Sequence, residues 1–380
     1  MTDWLDWPFF EPRHRELSQR LEQWCQATIH DAHAADPDAA CRALVGELGK
    51  AGFLSLCVAQ DGKAPDVRSL AIARATLARA HGLADFAFAM QGLGSGAISL
   101  FGSDAQKAEW LPKVAGGEAI AAYALTEPET GSDAANIAMR GEPKGGEWRL
   151  SGEKSYISNG TIADVLTVFA RTGSPEDGAR GISAFIVRAD DPGLSVAERI
   201  EVIAPHPLAR LKFDGVRADL LGSYGEGFKV AMQTLNLFRV TVGAAALGFA
   251  RRALDEALAF ATTRKLGDGL LADNPVTWDK LAGMKMAVDA SALLIARAAW
   301  EQDVGKADNR RAAAMAKLHA TEEAQKVIDM AVQMHGGMGV TKGAKVEELY
   351  REIRALRIYE GASEVQRQII ARDLLKGHRA

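Results

Sequence analysis

The residue best suited to chemistry is Glu360, which follows Ile358 and Tyr359 and precedes Gly361 just before a predicted helix. A carboxylate in apolar surroundings has a raised pKa and acts as a general base. The same position also suits a carboxylate that caps a helix N-terminus. The local sequence leaves both interpretations open.

Two segments near the middle of the chain carry groups that bind ligands. Residues 123–133 follow a predicted strand and form a loop of Thr, Pro, Gly and Ser, whose N–H and hydroxyl groups can surround an anion. In residues 152–160, Tyr156 and Ser158 lie on one face of a predicted strand and offer a ring and a hydroxyl. A surface turn and an ordinary strand are the respective alternatives.

Two further clusters lie in predicted helical regions. Residues 333–339 (QMHGGMG) end a long predicted helix, and their glycines permit close approach by a phosphate or simply form a helix C-cap and turn. His30 and His33 have the i, i+3 spacing of metal ligands, although a solvated helix face fits them better. We expect no metal.

The sequence pattern of the secondary-structure elements that must position these residues changes along the chain. Residues 1–118 have helical periodicity, residues 119–222 contain short β-rich runs, and residues 223–380 are helical again. The pattern predicts an α+β protein with an N-terminal all-α domain, a small barrel-like β-sheet domain and a C-terminal four-helix bundle. The four C-terminal helices are predicted near 228–264, 276–304, 308–334 and 362–376.

Composition excludes several functional classes. The 380 residues carry a net charge of −4, without the basic excess typical of nucleic-acid binders. The three cysteines have no CxxC pairing, which indicates reduced thiols. We expect no secretory signal, no apolar run of membrane-spanning length, and a cytoplasmic location.

Taken together, the four segments resemble the acyl-CoA dehydrogenase family in order and spacing, over essentially the full chain. The family pattern YxxTEPxxGSD is matched from Tyr123 to Asp133, and the K-x-[WY]-I-[ST]-N-G strand from Lys154 to Gly160. The QxxGGxG turn is matched from Gln333 to Gly339, and the final IYEG-x-S-E-x-Q from Ile358 to Gln366.

The resemblance implies an FAD site and an acyl-CoA site. The implied FAD contacts, part of them across a subunit interface, are Tyr123, Leu125, Thr126, Gly131, Ser132, Tyr156, Ile157, Ser158, Arg264, Gln333, Gly336, Gly337, Ala362 and Glu364. The implied substrate contacts are Ser132, Asn236, Arg239, Tyr359 and Gly361. Glu360 matches the catalytic base.

The family reaction is α,β-dehydrogenation of an acyl-CoA to the 2-enoyl-CoA in fatty acid or acid catabolism. The resemblance implies that Glu360 removes the α-proton, flavin N5 accepts the β-hydride, and an electron-transferring flavoprotein or similar acceptor reoxidises the protein. It also implies a homo-oligomer, a tetramer or a dimer. The alternatives are an O₂-using acyl-CoA oxidase, a flavin hydroxylase, and a non-catalytic homologue. An intact Glu360 disfavours the hydroxylase.

The sequence departs from the family pattern at several positions. Gly267 and Pro275 replace an aromatic residue and a glutamine that contact the partner subunit's FAD, so that contact is in question. Asn236 stands where an acidic residue is frequent, and Ala362 where threonine is frequent. The loop 203–210 is less polar than in the family, which points to an unusual substrate or carrier.

Overall fold

The computed structural model describes residues 3–29, 36–60, 62–306 and 308–376. The α-helices of these residues are α1 (Pro12–Thr28), α2 (Pro37–Lys50), α3 (Val67–Ala80), α4 (Gly82–Phe101), α5 (Asp104–Ala115), α6 (Gly227–Ala261), α7 (Pro275–Asp303), α8 (Arg310–His335), α9 (Lys345–Leu356) and α10 (Ser363–Lys376). The strands are β1 (Ala121–Ala124), β2 (Arg140–Lys144), β3 (Glu147–Ser158), β4 (Val165–Arg171), β5 (Ile182–Arg188), β6 (Leu194–Arg199), β7 (Leu208–Leu221), β8 (Lys265–Leu266) and β9 (Gly269–Leu270). The predicted α+β class is confirmed.

The chain forms two compact units. The barrel unit contains the described residues of 32–65 and 86–238, and the helical unit contains those of 1–31, 66–85 and 239–380. The predicted domain boundaries after residues 118 and 222 stay a prediction. His30 and His33 lie outside the described residues, and no metal-ligand cluster occurs among the described ones.

A small closed sheet dominates the barrel unit. Pairing runs β4–β2–β3–β7–β5 and returns from β5 to β4, with β1 parallel to β4 and β6 on the edge of β7. Every residue of β4 is buried, as expected for a strand covered on both faces. The hairpin between β2 and β3 turns at Gly145 and Gly146, with φ of 63° and 85°. Two adjacent positive φ angles fit a type I′ turn, as the glycine pair predicts.

The helical unit is built around α8. Helix α7 packs along α8, α9 and α10 also contact it, and α3 packs between α1 and α7. The four predicted C-terminal helices are present, together with a further helix, α9. Its buried residues recur at helical spacing (Val346, Leu349, Ile353 and Leu356), so its apolar stripe was a readable signal.

Helix α6 has the length and composition of a membrane-spanning helix, against the expectation from sequence. However, 78% of its most apolar window is buried inside the protein, and a core helix meets the same criteria.

The three cysteines are free and buried. Desolvation raises the pKa of the Cys25 and Cys41 thiols to about 12, which keeps both protonated at neutral pH.

Candidate active site

The first two predicted binding segments are adjacent in the barrel unit. The Ser155 N–H donates to the Thr126 carbonyl at 2.9 Å, which joins the loop 125–133 to β3. The Tyr123 hydroxyl donates to the Ala231 carbonyl at 3.2 Å, so this hydroxyl binds α6. Beyond this anchor, Gly131 and Ser132 are exposed.

A buried ion pair that the sequence analysis did not single out fixes this loop. The Lys154 ammonium, fully buried, lies 2.8 Å from the Glu127 carboxylate and donates to the Leu125 carbonyl at 2.9 Å. Glu127 also accepts from the Ala138 and Met139 N–H groups at 2.6 and 3.1 Å. Both charged residues belong to the matched motifs, and their structural role is to pin the loop to β3.

A bulge in β3 directs Tyr156 outward. The register against β7 shifts between Lys154 and Ile157, and Tyr156 adopts a left-handed φ of 55° with 62% of its surface exposed. Ile157 is 1% exposed in the sheet core, so its predicted contact with the flavin would use the backbone. Left-handed conformations in non-glycine residues cluster at functional sites.

These residues fit a flavin. They offer an exposed tyrosine ring for stacking, beside the hydroxyls of Thr126, Ser132 and Ser158. In addition, the buried Thr130 Oγ1 has no hydrogen-bond partner among the described residues, which leaves one donor and acceptor for a ligand.

Glu360 lies in the turn between α9 and α10 of the helical unit. Its φ is 52°, a left-handed conformation that costs about 1–3 kcal/mol in a residue with a side chain. The following residue, Gly361, has a φ of 90°, which glycine adopts freely. The buried Glu360 Oε2 has no hydrogen-bond partner among the described residues.

Two side chains from neighbouring helices hold this turn. Lys317 on α8 is 1% exposed, and its ammonium donates to the carbonyls of Tyr359 and Gly361 at 2.5 Å each. Gln366 on α10 donates to the Gly361 carbonyl at 2.7 Å. The backbone on both sides of Glu360 is therefore fixed.

The turn is surrounded by charge. Desolvation raises the pKa of Glu360, and the positive charges of Arg74, Lys317 and Arg239 oppose that rise. Desolvation lowers the pKa of Lys317 to about 7, although the Glu360 carboxylate counteracts it. Burial also lowers the pKa of Arg239, again against the Glu360 charge. A buried carboxylate with a raised pKa is suited to accept a proton.

Arg74, which no sequence pattern singles out, belongs to a buried pair. Its guanidinium binds Asp85 through two bonds of 2.9 and 2.8 Å and donates to Thr241 Oγ1 at 3.2 Å. Arg74 lies on α3 and Asp85 on α4, so no local pattern links either residue to Glu360.

The remaining predicted contacts fall at two places. Ala362 and Glu364 begin α10 beside Glu360, and Asn236 lies one turn before Arg239 on α6. Gln333, Gly336 and Gly337 lie at the other end of α8, about 24 Å from Lys317 along the helix. There the His335 ring stacks on Phe260 at 4.3 Å, close in sequence to the exposed Arg264.

Comparisons with known proteins match this layout. Residues 11–118 match the acyl-CoA dehydrogenase N-terminal domain, residues 122–216 the middle domain, and residues 225–375 the C-terminal domain. The mitochondrial short-chain specific acyl-CoA dehydrogenase of Bos taurus is 37% identical over 348 residues, covering 89% of this chain and 84% of that protein. The chain belongs to the acyl-CoA dehydrogenase family.

Other acyl-CoA dehydrogenase relatives cover nearly the full chain. The 3-(aryl)acrylate reductase of Clostridium sporogenes is 34% identical over 380 residues, covering 97% of this chain and 100% of that protein. The structure of a glutaryl-CoA dehydrogenase from Mycobacterium smegmatis in complex with FADH2 has a TM-score of 0.87 at 27% identity, covering 96% of this chain and 95% of that one. Acyl-CoA dehydrogenases are FAD-dependent oxidoreductases, so FAD is the cofactor of this protein.

Proposed function

We propose that this acyl-CoA dehydrogenase converts an acyl-CoA thioester to the 2-enoyl-CoA, with Glu360 as the base that removes the α-proton. One observation carries the proposal: Glu360 is held in a left-handed turn with a buried, unpartnered carboxylate oxygen. A strained residue with an unsatisfied buried atom stabilises nothing by itself, which supports a chemical role.

Different groups carry out the separate parts of the reaction. The Glu360 carboxylate takes the α-proton and becomes a carboxylic acid, while the Cα–Cβ bond becomes double. The chemistry that FAD supplies when bound is acceptance of the β-hydride, with its two electrons, at N5. Nearby positive charges, Arg74 and Arg239 among them, favour the ionised carboxylate and oppose the rise in its pKa that desolvation causes. We assign the Glu360 N–H to the thioester oxygen, where negative charge develops.

The first prediction concerns Glu360→Gln. The amide cannot accept the proton, so anaerobic bleaching of the flavin by acyl-CoA should slow about a hundredfold to ten-thousandfold, the usual contribution of a general base. FAD content should match that of the wild type. Glu323→Gln is the control, because Glu323 makes a partly exposed ion pair with Lys326 on α8. Bleaching at the wild-type rate in Glu360→Gln would refute the assignment.

The direction of the reaction and the identity of the acyl group can be determined with a panel of thioester substrates. The relative named 3-(aryl)acrylate reductase favours including aryl-propionyl and aryl-acrylyl thioesters beside straight-chain acyl-CoA substrates. Glu360 would return the same proton in a reduction, because both directions share one transition state. Fast bleaching by one saturated thioester identifies the substrate class, whereas full oxidation of the reduced flavin by an enoyl thioester, without bleaching by the matching saturated thioester, indicates a reductase.

We further propose that an electron-transferring flavoprotein or similar acceptor reoxidises the protein. We also propose that the chain forms a homotetramer or homodimer and serves fatty acid or acid catabolism in the cytoplasm. Rapid turnover with O₂ as the sole acceptor would instead identify an oxidase.

A further inference from the structure

Lys317 is an unusual residue for the middle of a bundle helix. It is 1% exposed on α8, and its nearest polar partners are two backbone carbonyls rather than a carboxylate. Burying an ammonium without a direct ion pair is unfavourable, and a hydrophobic residue of similar length would pack here at lower cost. The presence of Lys317 despite this cost indicates a role in the turn that it holds.

The two accepting carbonyls belong to Tyr359 and Gly361, one on each side of Glu360. The bond to the Tyr359 carbonyl holds the peptide plane that precedes Glu360, and the bond to the Gly361 carbonyl holds the plane that follows Gly361. Lys317 therefore holds both ends of the two-residue segment with positive φ angles, 52° at Glu360 and 90° at Gly361. Gln366 adds a neutral bond to the Gly361 carbonyl at 2.7 Å. Without Lys317, the Tyr359 carbonyl would lose the hydrogen bond from the ammonium.

We propose that Lys317 is a positioning residue for the base: it holds the strained turn that aims the Glu360 carboxylate and supplies a positive charge close to it. This inference rests on the proposed role of Glu360. Lys317 lies on α8, and α9 separates that helix from Glu360 in the chain. The inference therefore assigns a role in proton removal to a residue distant in sequence.

The charge of Lys317 and its two hydrogen bonds to the turn have separable effects. Glu360 also interacts with Arg74 on α3, Arg239 on α6 and Asp85 on α4, so Lys317 is one of three nearby cations. Removing one cation destabilises the carboxylate and raises the pKa of Glu360 further. Because the base acts as a carboxylate, the ascending limb of the rate–pH profile should move to higher pH.

The test is Lys317→Met, which keeps a side chain of similar length and removes both bonds and the charge. Anaerobic bleaching by a substrate acyl-CoA should slow about a hundredfold, the scale expected when a reacting group is displaced by about 1 Å. FAD content should be unchanged, and the pH midpoint of the bleaching rate should rise. Lys317→Arg, which keeps donors and charge, should recover most of the rate and the wild-type midpoint.

Two further variants separate positioning from general structure. Lys326→Met on the same helix removes an ammonium that is 63% exposed, and it should change neither rate nor midpoint. Gln366→Met removes a neutral bond to the same turn, so bleaching should slow while the pH midpoint stays in place. If Lys317→Met fails to fold, Lys317→Gln takes its place, because it keeps a polar side chain and removes the charge.

The outcomes distinguish this inference from the proposed function. Wild-type rate and midpoint in folded Lys317→Met, or in the equally uncharged Lys317→Gln if Lys317→Met does not fold, would overturn the role of Lys317 and leave Glu360 as the base. In the Glu360→Gln background, Lys317→Met should slow the residual bleaching little, since its effect acts through Glu360. Wild-type bleaching in Glu360→Gln alone would overturn the base assignment itself.

Discussion

At the scale of single residues, two residues of the candidate site have strained backbone conformations. Glu360 and Tyr156 both have left-handed φ angles, 52° and 55°, and each belongs to a motif that matches the family. Desolvation also disfavours the charged form of Glu360 and so raises its pKa. The carboxylate therefore lowers the stability of the folded protein while it serves the reaction.

The second prediction follows from that raised pKa. A native pKa above the ordinary value means that the folded state holds the Glu360 proton more tightly than the unfolded state does. The contribution of Glu360 to the free energy of unfolding therefore falls as pH rises from about 4.5 through the native pKa. Glu360→Gln should thus be more stable than the wild type at pH 7 and lose this advantage near pH 4, measured by urea unfolding.

Glu323→Gln is again the control, and its stability relative to the wild type should vary little with pH. A Glu360→Gln variant that is less stable than the wild type at neutral pH would contradict a native pKa that desolvation raises.

At the scale of elements, β3 presents the ligand-binding residues and one ion pair secures the loop beside it. Lys154 and Glu127 are both buried, at 0% and 7% exposure, and each also binds backbone groups. Desolvation lowers the pKa of Lys154 to about 8, against the attraction of Glu127. The pair is a structural anchor for the loop that carries Thr126 and Ser132.

The third prediction is that Lys154→Met lowers the free energy of unfolding by about 3–5 kcal/mol, because it leaves a buried carboxylate unpaired. Adding Glu127→Leu should recover part of the loss. Lys229→Met, in an exposed pair with Glu226, should cost about 1 kcal/mol or less. Equal losses in Lys154→Met and Lys229→Met, measured by urea unfolding, would contradict the anchor.

At the scale of the whole molecule, α8 carries predicted site residues at two separate places. Lys317, inside the helix, holds the turn that carries Glu360, and Gln333, Gly336 and Gly337 lie at its C-terminal end, about 24 Å further along the axis. The family resemblance assigns the residues at the far end to the FAD of a partner subunit, and we expect the same contact here.

The fourth prediction is that FAD and assembly are linked. Removing FAD should shift the protein to smaller species in sedimentation velocity and lower its thermal midpoint; ligand at a hundredfold its Kd contributes about 2.7 kcal/mol. Arg264→Ala should weaken this link, whereas Arg217→Ala, an exposed residue of the barrel unit, should not. An apoprotein with the same mass as the holoprotein would contradict the shared site.

The sequence predicts much of this structure because its signals are local. The glycine pair at 145–146 sets a hairpin turn, and helical periodicity finds the four long C-terminal helices within a few residues. Glu360 and both candidate binding segments are also identified from the sequence, since each motif is contiguous, and their roles stay predictions. These features can be predicted because the residues of each signal are neighbours in the sequence.

The missed residues depend on contacts between distant segments. Lys317 lies 42 residues before Tyr359 in an alanine-rich helix, where a lysine ordinarily faces solvent. The link between Arg74 and Glu360 joins α3 to the turn after α9. Only the packing of these helices shows that each residue lies near the base.

The burial of Cys25, Cys41 and Cys57 has a practical consequence for spectroscopy. Thiolates are the reactive form, and these thiols are shielded from solvent as well as, for Cys25 and Cys41, kept protonated. A single cysteine introduced at an exposed position such as Glu226 should therefore be the only thiol that a maleimide dye or spin label modifies in the folded protein. Distance measurements between subunits can then be made without first replacing the native cysteines.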